Sequence, residues 1–133
     1  MTKFLLLTKY AGPEGVEPMT NWDPAEIEAH IAYLKDLNRQ LIESGELIDG
    51  QALTGPDLAK VVTSDGTAPV VTDGPFPEVK ELLAGYQLVD VESERRALEI
   101  AGLVSAAPGP GGKPLGQAIE VRQLMGPLPG TEL

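Results

Sequence analysis

The helix that begins after Asp23 constrains the fold more than any other segment of this chain. The run Asp23-Pro24-Ala25-Glu26 supplies a capping side chain, a proline suited to the first helical position and a carboxylate placed for a capping box. Gly45 predicts the end of the helix, because glycine tolerates the left-handed conformation that ends many helices. Apolar residues recur between these signals at helical spacing and predict one buried stripe: Ile27, Ile31, Leu34, Leu37, Leu41 and Ile42.

Short apolar or alternating segments around this helix predict strands at 3–9, 47–53, 86–91 and 119–124. In the third strand, Tyr86, Leu88 and Asp90 share one face, and Gln87, Val89 and Val91 share the other. Two further segments, 60–63 and 69–72, flank Asp65-Gly66 and predict an inserted hairpin. Residues 78–84 predict a helical turn.

A second helix is predicted over residues 94–104, with Ser93 as its cap. Its inner side carries four apolar residues: Ala97, Ile100, Ala101 and Val104. Without the hairpin, the order of elements is the βαββαβ pattern of a ferredoxin-like α+β fold, with both helices on one face of the sheet. The chain of 133 residues suits one domain, 1–133, with a loop at 107–117 and a tail at 126–133.

The other face of such a sheet needs a cover. Six apolar residues of the strands supply more surface than two helices can cover: Leu5, Leu7, Val89, Val91, Ile119 and Val121. We therefore expect a second copy of the chain to pack on this face, giving a homodimer of the dimeric α+β barrel type.

Composition excludes several classes of function. The formal net charge of −10 disfavours direct contact with nucleic acid or with an anionic membrane, because both need a basic surface. The absence of cysteine excludes disulfides and thiolate chemistry, and the apolar run at 4–7 is too short for a signal peptide or a membrane span. We expect a cytoplasmic protein.

No cofactor or metal is indicated by the sequence. With His30 as the only histidine, a site of three histidines cannot form within one chain. There is also no glycine-rich phosphate loop with its lysine and no dinucleotide-binding fingerprint.

One ten-residue tract points to a family. The run T-D-G-P-F-P-E-V-K-E at 72–81 resembles the signature of the DGPF proteins within the YCII-related superfamily. The similarity extends over roughly residues 3–125, through G-Y-Q-L-V-D-V at 85–91, E-R-R-A-L-E-I-A at 94–101 and I-E-V-R-Q-L at 119–124. The resemblance implies a ferredoxin-like homodimer with clefts between sheet, helices and partner.

The resemblance also implies a range of functions. The superfamily includes small dehydrochlorinase-like and isomerase-like enzymes, for which a catalytic His-Asp pair is proposed. Most DGPF proteins have no assigned activity, and some are linked to alternative sigma factors, which implies a regulatory protein partner for that subset.

Three residues are candidates for proton transfer. His30 lies at the border of the apolar stripe, where it is either a base or a packing residue with one satisfied nitrogen. Asp73 either shapes the turn that follows it or acts as a base at the rim of a cleft. Asp90 either caps the following helix region or joins the cleft.

Four residues are candidates for binding a ligand. Asn38 interrupts the apolar stripe and bonds either a neighbouring backbone group or a ligand. Tyr86 offers a hydroxyl. Arg122, which shares a strand face with Glu120, is either an anion-binding residue or part of a cross-strand pair, and Phe76 is either a stacking surface or a core wedge. Two classes of function stay open: a cofactor-free acid-base enzyme acting on a small metabolite, and a non-catalytic module for ligand binding or regulation.

Overall fold

A computed structural model describes residues 1–73 and 83–131. Its elements in chain order are β1 (Thr2–Lys9), α1 (Pro24–Glu43), β2 (Leu47–Ala52), β3 (Lys60–Ser64), β4 (Pro69–Asp73), β5 (Leu83–Val91), α2 (Glu94–Ser105) and β6 (Ile119–Gln123). Within these residues, the main sheet has four antiparallel strands in the order β2-β5-β1-β6, and β3 pairs with β4 in a separate hairpin. This arrangement confirms the predicted ferredoxin-like α+β fold.

The start and end of α1 follow the predicted local signals. The Asp23 backbone N–H donates to Glu26 Oε1 at 3.1 Å, which forms one half of a capping box. Gly45 has a φ of 81°, so it ends the helix in the conformation that glycine tolerates best. The buried stripe is narrower than predicted: Leu37 and Leu41 are buried, whereas Ile31 and Ile42 are exposed.

The second helix is packed as predicted. The Ser93 Oγ accepts a hydrogen bond from the Arg96 backbone N–H at 3.2 Å, which confirms its role as the cap. All four predicted inner residues of α2 are buried, and Ile100 is fully enclosed. They form one core with Phe4, Leu6, Val89 and Val91 of the sheet and with the two buried leucines of α1.

An ion pair joins α2 to the segment between α1 and β2. Arg96, in the first turn of α2, donates to both carboxylate oxygens of Glu46, at 2.7 and 2.9 Å. Glu46 lies between α1 and β2. These hydrogen bonds hold the pKa of Glu46 below its usual value, and they raise the pKa of Arg96.

Two predictions about the strands are corrected. Leu83 and Ala84 belong to β5 and not to a helical turn, because they extend the antiparallel pairing with β1 and β2. The rest of that predicted turn, 78–82, lies outside the described residues. The hairpin predicted around Asp65-Gly66 is confirmed.

The six residues expected on the open face of the sheet are divided between its two faces. Val89 and Val91 are fully buried beneath the helices, and Ile119 and Val121 are packed on that same side. The pairing register places Leu5 opposite Leu88 and Leu7 opposite Tyr86, on the face away from the helices. We call this surface, with Leu5, Leu7 and Leu88 at its centre, the open face; Leu5 and Leu88 are half-buried, and Leu7 is buried.

Candidate functional site

A cavity of about 600 Å³ lies between α1 and the β2–β5 side of the main sheet. Leu34, Asn38 and Ile42 line it from the helix, and Leu47 and Gln87 line it from the strands. Val104 of α2 contributes at one end. We call it the helix-side cavity.

Small residues on the sheet form the floor of this cavity. Gly85 is buried, and a Cβ atom there would lie 2.7 Å from the Gln51 carbonyl oxygen of the neighbouring strand. A Cβ at Gly50 would lie 3.3 Å from the Tyr86 carbonyl oxygen. Strand β2 therefore lies too close to β5 for a side chain at Gly85, and a side chain at Gly50 would be crowded. Where larger side chains would fill the space beneath α1, the two glycines and Ala52 leave it open.

Two side-chain amides meet in the cavity. Gln87 Nε2 donates to Asn38 Oδ1 at 2.7 Å, which joins β5 to the middle of α1. We call these two residues the amide pair. Within the described part of the chain, the Asn38 amide nitrogen donates no hydrogen bond and the Gln87 carbonyl oxygen accepts none. Both atoms keep some accessible surface. The predicted backbone partner of Asn38 is therefore replaced by a side chain.

The charge of the lining is low. Among residues 1–73 and 83–131, no lysine, arginine or histidine lines the cavity, and Asp49 is the only acidic residue that does. The Asp49 carboxylate accepts a hydrogen bond from the Tyr86 hydroxyl at 3.0 Å. This bond raises the pKa of Tyr86, with smaller contributions from burial and from the negative charge of Asp49. The register places both side chains on the open face. Asp49 and Tyr86 therefore border the cavity with their backbone, and their side chains point to the other face of the sheet.

His30 is buried on the helix side of the sheet, outside this cavity. Its Nδ1 lies 2.9 Å from the Pro108 carbonyl oxygen, and its ring meets the Trp22 ring edge-on at 5.5 Å. Because a carbonyl oxygen can only accept, Nδ1 carries the hydrogen and Nε2 keeps the lone pair. This is the arrangement of a packing residue with one satisfied nitrogen, one of the two predicted alternatives.

The two candidate aspartates lie elsewhere. Asp90 is on the open face opposite Lys3, and its Oδ1 is buried with no hydrogen-bond partner in the part of the chain that is described. Asp73 ends β4 in the hairpin, where its carboxylate is 88% exposed and pairs with Lys60. The structure therefore does not bring His30, Asp73 and Asp90 together in one chain, and their catalytic role stays a prediction.

The remaining predicted ligand-binding residues have different positions. Arg122 is on the open face, 71% exposed, with its Nε 3.7 Å from Glu120 Oε2. Glu120 also accepts from Lys9 Nζ at 3.1 Å, which is a cross-strand ion pair. Phe76 lies outside the described residues. Asn38 and Tyr86 line the helix-side cavity, whereas Arg122 does not.

Sequence reasoning did not select Gln87, Gly50 or Gly85 as site residues. A signal for Gln87 was present, since it is the one polar residue on the strand face that also carries Val89 and Val91. A polar side chain on a face that is otherwise apolar indicates a buried hydrogen bond or a ligand contact.

The four-stranded sheet and the two helices on one of its faces define a ferredoxin-like α+β domain, with a cavity of about 600 Å³ beneath α1. The family model for the YCII-related domain matches residues 3–108. An uncharacterised protein of Rhizobium meliloti (strain 1021) is 33% identical over 110 residues, which covers 82% of this chain and 84% of that relative. The chain belongs to the YCII-related family.

Two further properties concern the described residues as a whole. No helix within 1–73 and 83–131 is both long and apolar enough to cross a bilayer. In the same ranges, no three histidine, aspartate or glutamate side chains are grouped closely enough to hold a metal ion.

Proposed function

We propose that this protein binds a small molecule in the helix-side cavity and that it does so as a homodimer. The observation that carries the proposal is the amide pair in a cavity of about 600 Å³. Ligand sites in proteins are typically concave, mostly apolar and equipped with a few convergent polar groups. The lining fits this description, because Leu34, Ile42 and Leu47 surround Asn38 and Gln87.

The amide pair is a poor choice for stability alone. Two apolar side chains at these positions would pack against the core without the desolvation that two amides suffer. Gln87 lies beside Leu6, which is fully buried, and Asn38 follows Leu37, which is also buried. A ligand that binds to the unused hydrogen-bonding atoms of Asn38 and Gln87 would explain why two amides occupy these positions.

A fragment screen by NMR tests this proposal. A mixed collection of neutral, anionic and cationic fragments is added to the ¹⁵N-labelled full chain, and we expect shifts in the backbone amides of Gly50 and Gly85. Ala52→Leu places a larger side chain at the floor of the cavity and should abolish these shifts. Ala29→Leu, on the exposed side of α1, is the matched control and should leave them unchanged. A screen in which no fragment shifts the cavity residues rejects the proposal.

The proposed homodimer forms through the open face. Leu5 and Leu88, which are half-buried, and Leu7, which is already buried within one chain, form its apolar centre, and Lys3 and Arg122 lie among the acidic residues around it. A surface with both signs of charge around an apolar patch suits packing against its own copy about a twofold axis.

Light scattering after size-exclusion chromatography tests the dimer. Leu88→Glu puts a charge at the centre of the open face and should convert the dimer to a monomer. Leu98→Glu is the control, because Leu98 is 53% exposed on α2, away from the sheet. A wild-type chain that is monomeric at micromolar concentration contradicts the dimer and leaves the cavity proposal standing.

A cofactor-free acid-base reaction is the second candidate, and His30 favours it. The bond from Nδ1 to the Pro108 carbonyl sets the tautomer and leaves Nε2 as the basic nitrogen. Since Asp90 is on the open face and Asp73 ends β4, paired with Lys60, His30 would act without either of them. His30→Gln keeps much of the side-chain volume; loss of turnover with unchanged ligand binding would support this candidate, and unchanged turnover of an identified substrate would reject it.

A further inference from the structure

We infer that the ligand of the helix-side cavity is an uncharged molecule with a hydrogen-bond donor and an acceptor side by side, such as a primary or cyclic amide, on an apolar body. This inference rests on the proposed function, because it describes what the same cavity selects.

The first argument comes from the hydrogen-bonding atoms of the amide pair. The bond from Gln87 Nε2 to Asn38 Oδ1 leaves one NH₂ group on Asn38 and one carbonyl oxygen on Gln87. If both amide groups are flipped by 180°, Asn38 becomes the donor and Gln87 the acceptor of this bond. One NH₂ group and one carbonyl oxygen are still left without a partner. In either orientation, the protein offers an adjacent donor and acceptor. The matching ligand group presents one acceptor and one donor, as an amide does.

The second argument comes from charge. An anionic ligand would need a cation or a helix N-terminus, yet the described lining has no lysine, arginine or histidine, and α1 contributes residues of its second half. The formal charge of −10 adds a repulsive field. A cationic ligand would need a carboxylate, but Asp49 directs its side chain to the open face, where it accepts the Tyr86 hydroxyl. A charged ligand would therefore lose its hydration without gaining a partner.

The third argument comes from the rest of the lining. Around the amide pair most side chains are aliphatic, including Leu34, Ile42, Leu47 and Val104, and Thr8 of β1 adds one hydroxyl. The glycines of the floor expose backbone and no polar side chain. The ligand body that fits these surfaces is apolar, and its polar group is directed towards Asn38 and Gln87.

Three fragments of the same shape but different charge test the inference: benzamide, benzoate and benzamidinium. Each is titrated into the ¹⁵N-labelled full chain while the side-chain NH₂ signals of Asn38 and Gln87 and the backbone signals of Gly50 and Gly85 are followed. We expect benzamide to shift all of these signals. The two ions should bind at least about tenfold more weakly, because each leaves charge unpaired in the cavity.

Variants connect the effect to the amide pair. In the double variant Asn38→Leu with Gln87→Leu, benzamide should lose its preference over toluene, an apolar probe of similar size. Gln40→Leu, a glutamine replacement at an exposed position of α1 that does not line the cavity, is the control and should keep the preference. A double variant that still prefers benzamide overturns the inference.

The outcomes separate this inference from the proposed function. Binding of benzoate or benzamidinium at the cavity as tightly as benzamide overturns the charge selection, while small-molecule binding at the site still stands. If none of the three fragments binds, the amide class is rejected, and the mixed fragment screen with Ala52→Leu decides on its own whether the cavity binds small molecules at all.

Discussion

The two helices lie on the same face of the same sheet, but they pack against it differently. Beneath α2, Ala97, Ile100 and Ala101 are buried against the strands. Beneath α1, two leucines are buried, but Asn38 and Gln87 are hydrogen-bonded to each other at the wall of a cavity whose floor includes two glycines and an alanine. The α2 side of the sheet is closely packed, whereas the α1 side leaves a cavity with two amide side chains at its wall.

This comparison predicts where substitutions affect folding and where they affect binding. The largest effect on stability should come from the α2 side. Ile100→Ala removes a fully buried side chain and should lower the free energy of unfolding by about 4 kcal/mol. Urea unfolding measures it, and Leu98→Ala, at a position that is 53% exposed on the same helix, should change stability by less than about 1 kcal/mol. Equal losses at the two positions would contradict the difference between the buried and exposed sides of α2.

The next largest effect should come from the ion pair that joins the two sides. Glu46→Gln weakens two charge-assisted hydrogen bonds with Arg96 and should cost about 2 kcal/mol at neutral pH. The pKa of Glu46 is lowered in the folded state, so its contribution is present above the unfolded value near 4.5 and disappears as the pH falls through the folded pKa.

Thermal unfolding across this pH range measures the effect. The difference between wild type and Glu46→Gln should therefore be constant above pH 4.5 and should narrow below it. Glu99→Gln is the matched control, since Glu99 contacts the same arginine from an exposed position and should show a smaller difference. A difference that grows in acid would be the wrong sign for this ion pair.

A smaller effect is expected on the α1 side, where the amide pair can be replaced in one or two steps. Asn38→Leu alone leaves Gln87 without its partner and should destabilise by about 1 to 2 kcal/mol. Adding Gln87→Leu removes the unpaired group and should return the stability to within about 0.5 kcal/mol of wild type. Chemical unfolding of the single and double variants measures both values. A double variant that is less stable than the single would show that the amides are needed for the fold, which would weaken the case for binding.

The smallest effect is expected in the hairpin, which belongs to neither side. Asp73 pairs with Lys60, but its carboxylate is 88% exposed, and exposed ion pairs contribute little to stability. Asp73→Asn should shift the melting temperature by no more than about 2 °C. A larger loss would indicate that Asp73 shapes the segment that follows it, which is the turn role that the sequence predicts for this residue.

The helices and the hairpin were largely predictable from sequence because their signals are local. The capping box of Glu26, the serine cap of α2 and the glycine that ends α1 each act over three or four residues. The start of β5 was missed because Leu83 and Ala84 become strand through pairing with β1 and β2, which no local pattern announces.

The candidate site was only partly predictable. Asn38 was selected because it interrupts an apolar stripe, but its partner Gln87 is 49 residues away in the chain. His30 and Asp90 were grouped by their chemistry, and the sheet places them on opposite sides. The distance between two side chains depends on how the elements pack, and neither composition nor sequence spacing predicts it.

The sequence by itself determined the order of strands and helices, the ends of α1 and the inner residues of α2, because hydrogen-bonding caps and helical periodicity are properties of neighbouring residues. Only the tertiary structure decided which face of each strand the helices cover. Alternation in a strand defines two faces but does not say which is inside, so Val89 and Val91 became core while Leu5 and Leu88 were left on the open face. The helix-side cavity has the same origin, because it exists only where α1, β2 and β5 meet.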